Sequence, residues 1–156
     1  MKKKILFYCI LFFIISVVFF VIDYLYTNYL RAPTTEIDYR IPNKEYHHTL
    51  ASSFNGYDDW GYNRYRVCTD KNGFKSSCDK INSSNKKFDI GFIGDSFTEG
   101  IGRLHEDTFV GQFAANHKNL EIANLGVASY SPTIYLAKLK WMLSNGYSFK
   151  HIYVFI

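Results

Sequence analysis

Gly94-Asp95-Ser96-Phe97-Thr98-Glu99-Gly100 is the stretch of this sequence whose residue types can do covalent chemistry. It follows Phe88-Asp-Ile-Gly-Phe-Ile93, a short apolar run of the kind that forms a buried parallel strand. In parallel α/β sheets reactive groups gather at the carboxyl ends of strands. A serine there can expose its hydroxyl while its backbone N–H faces an incoming carbonyl oxygen. Gly94 permits a sharp turn, and Gly100 and Gly102 keep the following loop free of bulk. Other motifs fail. The hydrolase elbow Gly-x-Ser-x-Gly breaks at Thr98. A phosphate loop lacks its Gly-Lys-Ser/Thr, and Gly100-x-Gly102 meets His105 where a dinucleotide site needs a third glycine. The plainer alternative is a strand-to-helix turn in which Asp95 or Ser96 caps backbone amides. On either reading Asp95 is structural, its side chain bonding the loop that carries Ser96.

The flanking elements must hold that turn in place. Residues 107–117 read as a helix, with Asp107 as N-cap and Phe109, Val110, Phe113 and Ala114 on one face. Leu120 to Ala123 is a brief strand. Ser131-Pro132 opens a second helix, with Tyr135, Leu136, Leu139, Met142 and Leu143 on one face and Gly146 at its end. His151 to Ile156 is a third apolar strand. Strand, helix, strand, helix, strand at this spacing predicts an α/β fold, a three-layer α/β/α parallel sheet. The third strand ends on Val-Phe-Ile with no polar residue, and three parallel strands leave two open edges. The expectation is therefore an incomplete domain, a fragment or an early stop.

Ahead of this domain, residues 5–22 carry no charge and follow Lys2-Lys3-Lys4. A cleaved signal peptide has an apolar core of about 7–15 residues and a small-x-small cleavage site. The run here is longer, and no Ala-x-Ala follows it, which favours a retained transmembrane anchor over residues 5–24 behind a cytoplasmic basic tip, 1–4. Tyr24, Tyr26 and Tyr29 suit the far interface. The lysines place the amino end in the cytoplasm and export the rest to the periplasm or the cell exterior. The net charge is +4, of which the three lysines less Asp23 account for +2, so no basic face for nucleic acid remains. At 47% apolar, 21% charged and three prolines, the chain is neither disordered nor collagen-like.

Residues 25–87 read as an exported juxtamembrane region, irregular or short-stranded from 32 onward. Pro33 and Pro42 break it, Tyr65-Arg-Val67 suggests a strand, and Asn82 to Lys87 reads as a polar linker. Cys68 and Cys78 are the cysteines outside the anchor. The turn dipeptide Asn72-Gly73 between them would let a hairpin bring them together in an oxidising compartment, the alternative being two free thiols. Adjacent His47 and His48 on an extended segment point to opposite faces and cannot chelate jointly. No metal or cofactor site is expected. Tyr57, Trp60, Tyr62 and Tyr65 form an aromatic cluster that could stack on sugar rings or simply pack.

Residues 88–100 resemble the first block of the SGNH, or GDSL-like, hydrolases, including the Phe-Thr-Glu-Gly continuation. Asn124-Leu-Gly126-Val-Ala-Ser-Tyr-Ser-Pro132 is similar to the second block. Thr69-Asp-Lys-Asn-Gly-Phe74 looks like the lead-in of membrane-anchored members near polysaccharide-acylation systems. The resemblance implies a flavodoxin-like sheet over 88–156, Ser96 as nucleophile, and the N–H groups of Ser96 and Gly126 in the oxyanion hole, with Gly94, Asp95 and Gly100 supporting the loop. It also implies an esterase or O-acyltransferase acting on acyl, typically acetyl, esters of a cell-envelope or exported polysaccharide. The family's third-block asparagine and its Asp-x-x-His base have no match in the sequence, and His105, nine residues after Ser96, is more often solvent-facing than catalytic. The competing expectation is a non-catalytic envelope protein that binds glycan or a protein partner.

Overall fold

The computed structural model describes residues 2–30 and 39–156. They belong to two units, one within residues 1–34 and the other within 35–156. The first is helix α1 (Lys2–Leu25), continued by a π-helical turn over Tyr26–Leu30. Apolar residues surround α1 on every side and are exposed, because the sequence offers no polar face to turn toward water. At about 1.5 Å per residue the helix extends about 36 Å, more than a hydrocarbon core of about 30 Å. Long and apolar enough to cross a bilayer, it fits a single-pass membrane protein or a signal anchor. The break expected at Pro33 lies outside the described residues.

In the second unit two antiparallel hairpins precede the parallel sheet. Strand β1 (Arg40–Asn43) pairs with β2 (His47–Leu50), and β3 (Asn55–Trp60) pairs with β4 (Asn63–Cys68). The β3–β4 turn places Gly61 at φ +62°, a left-handed conformation that suits glycine. Beyond β4 a tight loop forms around Asn72-Gly73, bridged at Thr69 and Lys75. Asp70 Oδ1 holds this loop by accepting from Asn72 N (2.8 Å) and Phe74 N (2.9 Å). Cys68 and Cys78 are joined in a disulfide across it, their Cα atoms 5.1 Å apart. The region is more regular than its prolines and polar runs suggest.

The parallel sheet has the order β6-β5-β7, from β5 (Lys87–Ile93), β6 (Ile122–Asn124) and β7 (Ser148–Val154). Between β5 and β6 lie the single turn α2 (Ser96–Glu99) and α3 (Phe109–Asn116); α4 (Pro132–Ser144) joins β6 to β7. Alternation along the strands separates two cores. Ile90, Phe92 and Ile122 pack with Val110 and Phe113 of α3. Ile93 and Ala123 join Tyr135 and Met142 of α4, together with the hairpins' Tyr39, Tyr46, Leu50, Tyr65 and Val67. Helices thus cover both faces of the sheet.

Several local expectations need correction. Thr108, not Asp107, caps α3: its Oγ1 accepts from Gly111 N at 3.0 Å, while Asp107 lies in a 3₁₀ turn from His105 to Asp107. Leu136 and Leu143 of α4 are exposed, and the buried positions between Tyr135 and Met142 include Lys138. Ser131 stands at the α4 N-cap with Pro132 after it, but its side chain makes no capping bond. The last strand begins at Ser148, ahead of the apolar run that predicted it. His47 takes φ +79°, which turns its ring toward that of His48 instead of to the opposite face. The two Nδ1 atoms lie 2.7 Å apart, and His48 Nε2 is 2.7 Å from Ala128 O.

Candidate active site

Strand β5 delivers Ser96 to the carboxyl end of the sheet's central strand. Because β6 and β7 flank β5 on opposite sides, the connections diverge there, and such a point opens a crevice in α/β sheets. Asp95 is the N-cap of α2, its Oδ1 accepting from Phe97 N at 2.9 Å. That bond fixes the turn and sets Ser96 as the first residue of α2. Gly94 is needed beneath it, since a Cβ there would lie 2.1 Å from Thr98 Oγ1. Gly100 closes α2 in a left-handed conformation and donates its N–H to Ser96 O. The Ser96 hydroxyl is half-buried. Among the described residues neither it nor the Ser96 N–H has a hydrogen-bond partner.

The loop after β6 locks onto this turn. Asn124 donates through Nδ2 to Thr98 O at 2.9 Å and accepts from Gly126 N at 3.1 Å. Gly126 lies so close that a Cβ would sit 2.6 Å from Glu99 N. Its N–H is therefore beside α2 but committed to Asn124, leaving Ser96 N–H as the open donor of the expected pair.

Glu99 is the hub of this packing, a role that its place in the Phe-Thr-Glu-Gly run does not reveal. Fully buried, it accepts from Arg40 Nη2 (2.5 Å) and Ala128 N (2.6 Å), with Tyr39 Oη at 3.1 Å. Tyr39 and Tyr65 also reach Asp58, at 2.9 and 2.7 Å, and Arg40 bridges to it. Burial pushes the Asp58 carboxyl up, but these hydroxyls, Asp59 N and Arg40 outweigh it and hold the group below its ordinary value. Two buried lysines complete the surround. Lys75 donates to Gly100 O (2.7 Å) and Arg103 O (2.8 Å), fixing the loop past α2; burial pulls it down to about 8, against Glu99. Lys138 donates to Leu125 O at 3.0 Å beneath the Tyr130 ring, and burial pulls it down to about 7, against Glu99 and Asp70. Lys138 falls three residues after Tyr135 and four before Met142, on the buried stripe.

Ser96 opens into a groove of about 350 Å³ shared with Trp60, Phe97, Arg103, Asp107 and Phe109. The β3–β4 hairpin forms one wall. Asn63 Nδ2 donates to Gly102 O at 2.7 Å, and the Trp60 side chain lies over Gly102. Tyr65 is core, its ring buried, so it leaves the expected sugar-stacking set. His105 is neither solvent-facing nor part of this groove's lining. It lines a separate cavity of about 400 Å³ between α3 and the 70–83 segment, where burial and then Lys75 and Lys80 pull it down to about 4. None of the five histidines lines the Ser96 groove. Among the described residues no group of three His, Cys, Asp or Glu side chains is arranged to hold a metal.

No protein-family model matches the chain, and neither a curated protein nor a solved structure matches it.

Proposed function

We propose that this chain carries the nucleophile of an SGNH-type serine esterase or O-acyltransferase, anchored in the membrane by α1 and acting on acyl, typically acetyl, esters of a cell-envelope or exported polysaccharide. The observation that carries the reading is Ser96 itself. It stands at the carboxyl end of the central parallel strand, with its hydroxyl unbonded and open to a groove. The Asn124–Gly126 loop braces the turn from behind. In the reaction the Ser96 Oγ bonds to the ester carbonyl carbon, its proton passing to a base. The carbonyl oxygen takes the negative charge beside the Ser96 N–H, and the sugar oxygen leaves with the proton. Water or another hydroxyl then takes the acyl group from Ser96. A donor aimed at the developing oxyanion is worth about 10²–10³ in rate.

Among the described residues no histidine lines the groove, and Asp107 is the carboxylate that does. Lys2 to Lys4 support a cytoplasmic amino end and an exported catalytic unit, and the Cys68–Cys78 disulfide suits that compartment. The histidine-free groove is also what favours the second reading, a glycan- or partner-binding envelope protein without turnover. Ser96→Ala separates them. Acetate release from O-acetylated polysaccharide by membranes carrying the protein is expected to fall at least about 10³-fold, with protein level unchanged. Undiminished release removes Ser96 from the mechanism.

A further inference from the structure

The Ser96 groove has two chemically different walls. On one, Trp60 (62% exposed) and Phe97 (84% exposed) present large aromatic surfaces to solvent. Such rings are normally buried, and here both border the Ser96 hydroxyl, which has no hydrogen-bond partner among the described residues. Trp60 is held there, not left over. Gly102 at φ +78° makes room for it, since a Cβ would lie 3.1 Å from Trp60 Cδ1, and the Asn63–Gly102 bond pins the hairpin behind it. On the other wall, Arg103 and Asp107 are exposed, and Lys75 fixes the backbone at Arg103. One supplies a fork of donors, the other two acceptor oxygens.

We infer that the β3–β4 hairpin is the specificity element of the Ser96 site, and that Trp60 and Phe97 take the apolar face of the pyranose ring carrying the ester. The apolar C–H face of a sugar ring fits an aromatic surface, and its equatorial hydroxyls need donors and acceptors at the edge, which Arg103 and Asp107 supply. A long acyl chain would cover the aromatic wall equally well. It would also strip water from the guanidinium and the carboxylate without replacing it, at a cost that a hydroxylated ring avoids. Tyr62, at the hairpin tip, does not line the groove and takes no part. The inference rests on Ser96 being the nucleophile, since it assigns the ring beside that hydroxyl.

The test uses the full-length protein in detergent, carrying Ser96→Ala so that ester is not consumed, and partially O-acetylated cello-oligosaccharide as probe. Titration calorimetry is expected to show binding that weakens about tenfold on adding Trp60→Ala, and similarly with Phe97→Ala. Trp60→Phe restores most of it, and Tyr62→Ala has no effect. Equal affinity with and without Trp60, or no binding to the Ser96→Ala protein, overturns the assignment. Labelling of the wild-type protein by a small fluorophosphonate separates the two levels. Labelling at Ser96 with Trp60-independent sugar binding overturns the subsite alone. Trp60-dependent binding without labelling supports the subsite and overturns the nucleophile.

Discussion

Lys138 and Gly126 show how single side chains, or the lack of one, carry this site. Lys138 is charged in the unfolded chain up to its ordinary value of 10.5 but holds its proton only to about 7 when folded. Between those values the unfolded state binds more protons, so stability rises with pH across that window. The cost of burying the ammonium is borne in full below about pH 7 and is gone above about 10.5. Lys75, pulled down to about 8, adds a smaller rise over the upper part of the same range. The expected result is a melting temperature that climbs from pH 7 to 9.5, with a clearly shallower climb in Lys138→Met; equal slopes would place the titration elsewhere. Gly126→Ala forces a Cβ to 2.6 Å from Glu99 N and 2.7 Å from Thr98 C. Both are backbone atoms with nowhere to yield, so the variant should lose about 2 kcal/mol in a urea titration. An unchanged midpoint would mean that the loop after β6 does not press on α2. Of these two residues only Gly126 was legible in advance, through its motif. Lys138 sat in plain view on a helical stripe, but a lysine on an apolar face reads as solvent until its partner, the carbonyl of Leu125, is known.

At the scale of elements, what could be read from the sequence was what is local. The apolar run ending at Ile93, the turn at Gly94-Asp95, the Ser131-Pro132 helix start and the Asn72-Gly73 loop are each encoded within a few residues. Strand edges and caps slipped by one to three residues, because Thr108 outcompeted Asp107 and backbone pairing extended β7 back to Ser148. The docking of the hairpins was not legible at all. Arg40 meets Glu99 across 59 residues and Asn63 meets Gly102 across 39, and no periodicity announces such pairs. The segment after β4 carries its own staple. Its disulfide closes a loop of sequence separation 10, worth about 3 kcal/mol by chain entropy. Replacing Cys68 and Cys78 together by serine should lower the unfolding free energy from a urea titration by about that amount, and so should reduction of the wild-type protein. A midpoint indifferent to both would show the loop to be held by Asp70 alone.

For the molecule as a whole, one apolar helix and one α/β unit divide the work. The helix is long and apolar enough to cross a bilayer, and the unit presents a serine at the carboxyl end of its central strand, with a hairpin from the preceding segment folded over as a wall. That segment, read from the sequence as an exported juxtamembrane region with a possible hairpin, lends Trp60 to the groove, while its Tyr39 and Arg40 bond Glu99. The proposed reaction depends on Ser96 as its nucleophile. Its most direct test is to treat native membranes containing the protein with a fluorophosphonate and map the adduct by peptide mass spectrometry. A single adduct is expected on the peptide containing Ser96, absent in Ser96→Ala. Folded, abundant protein that stays unlabelled at Ser96 would contradict it.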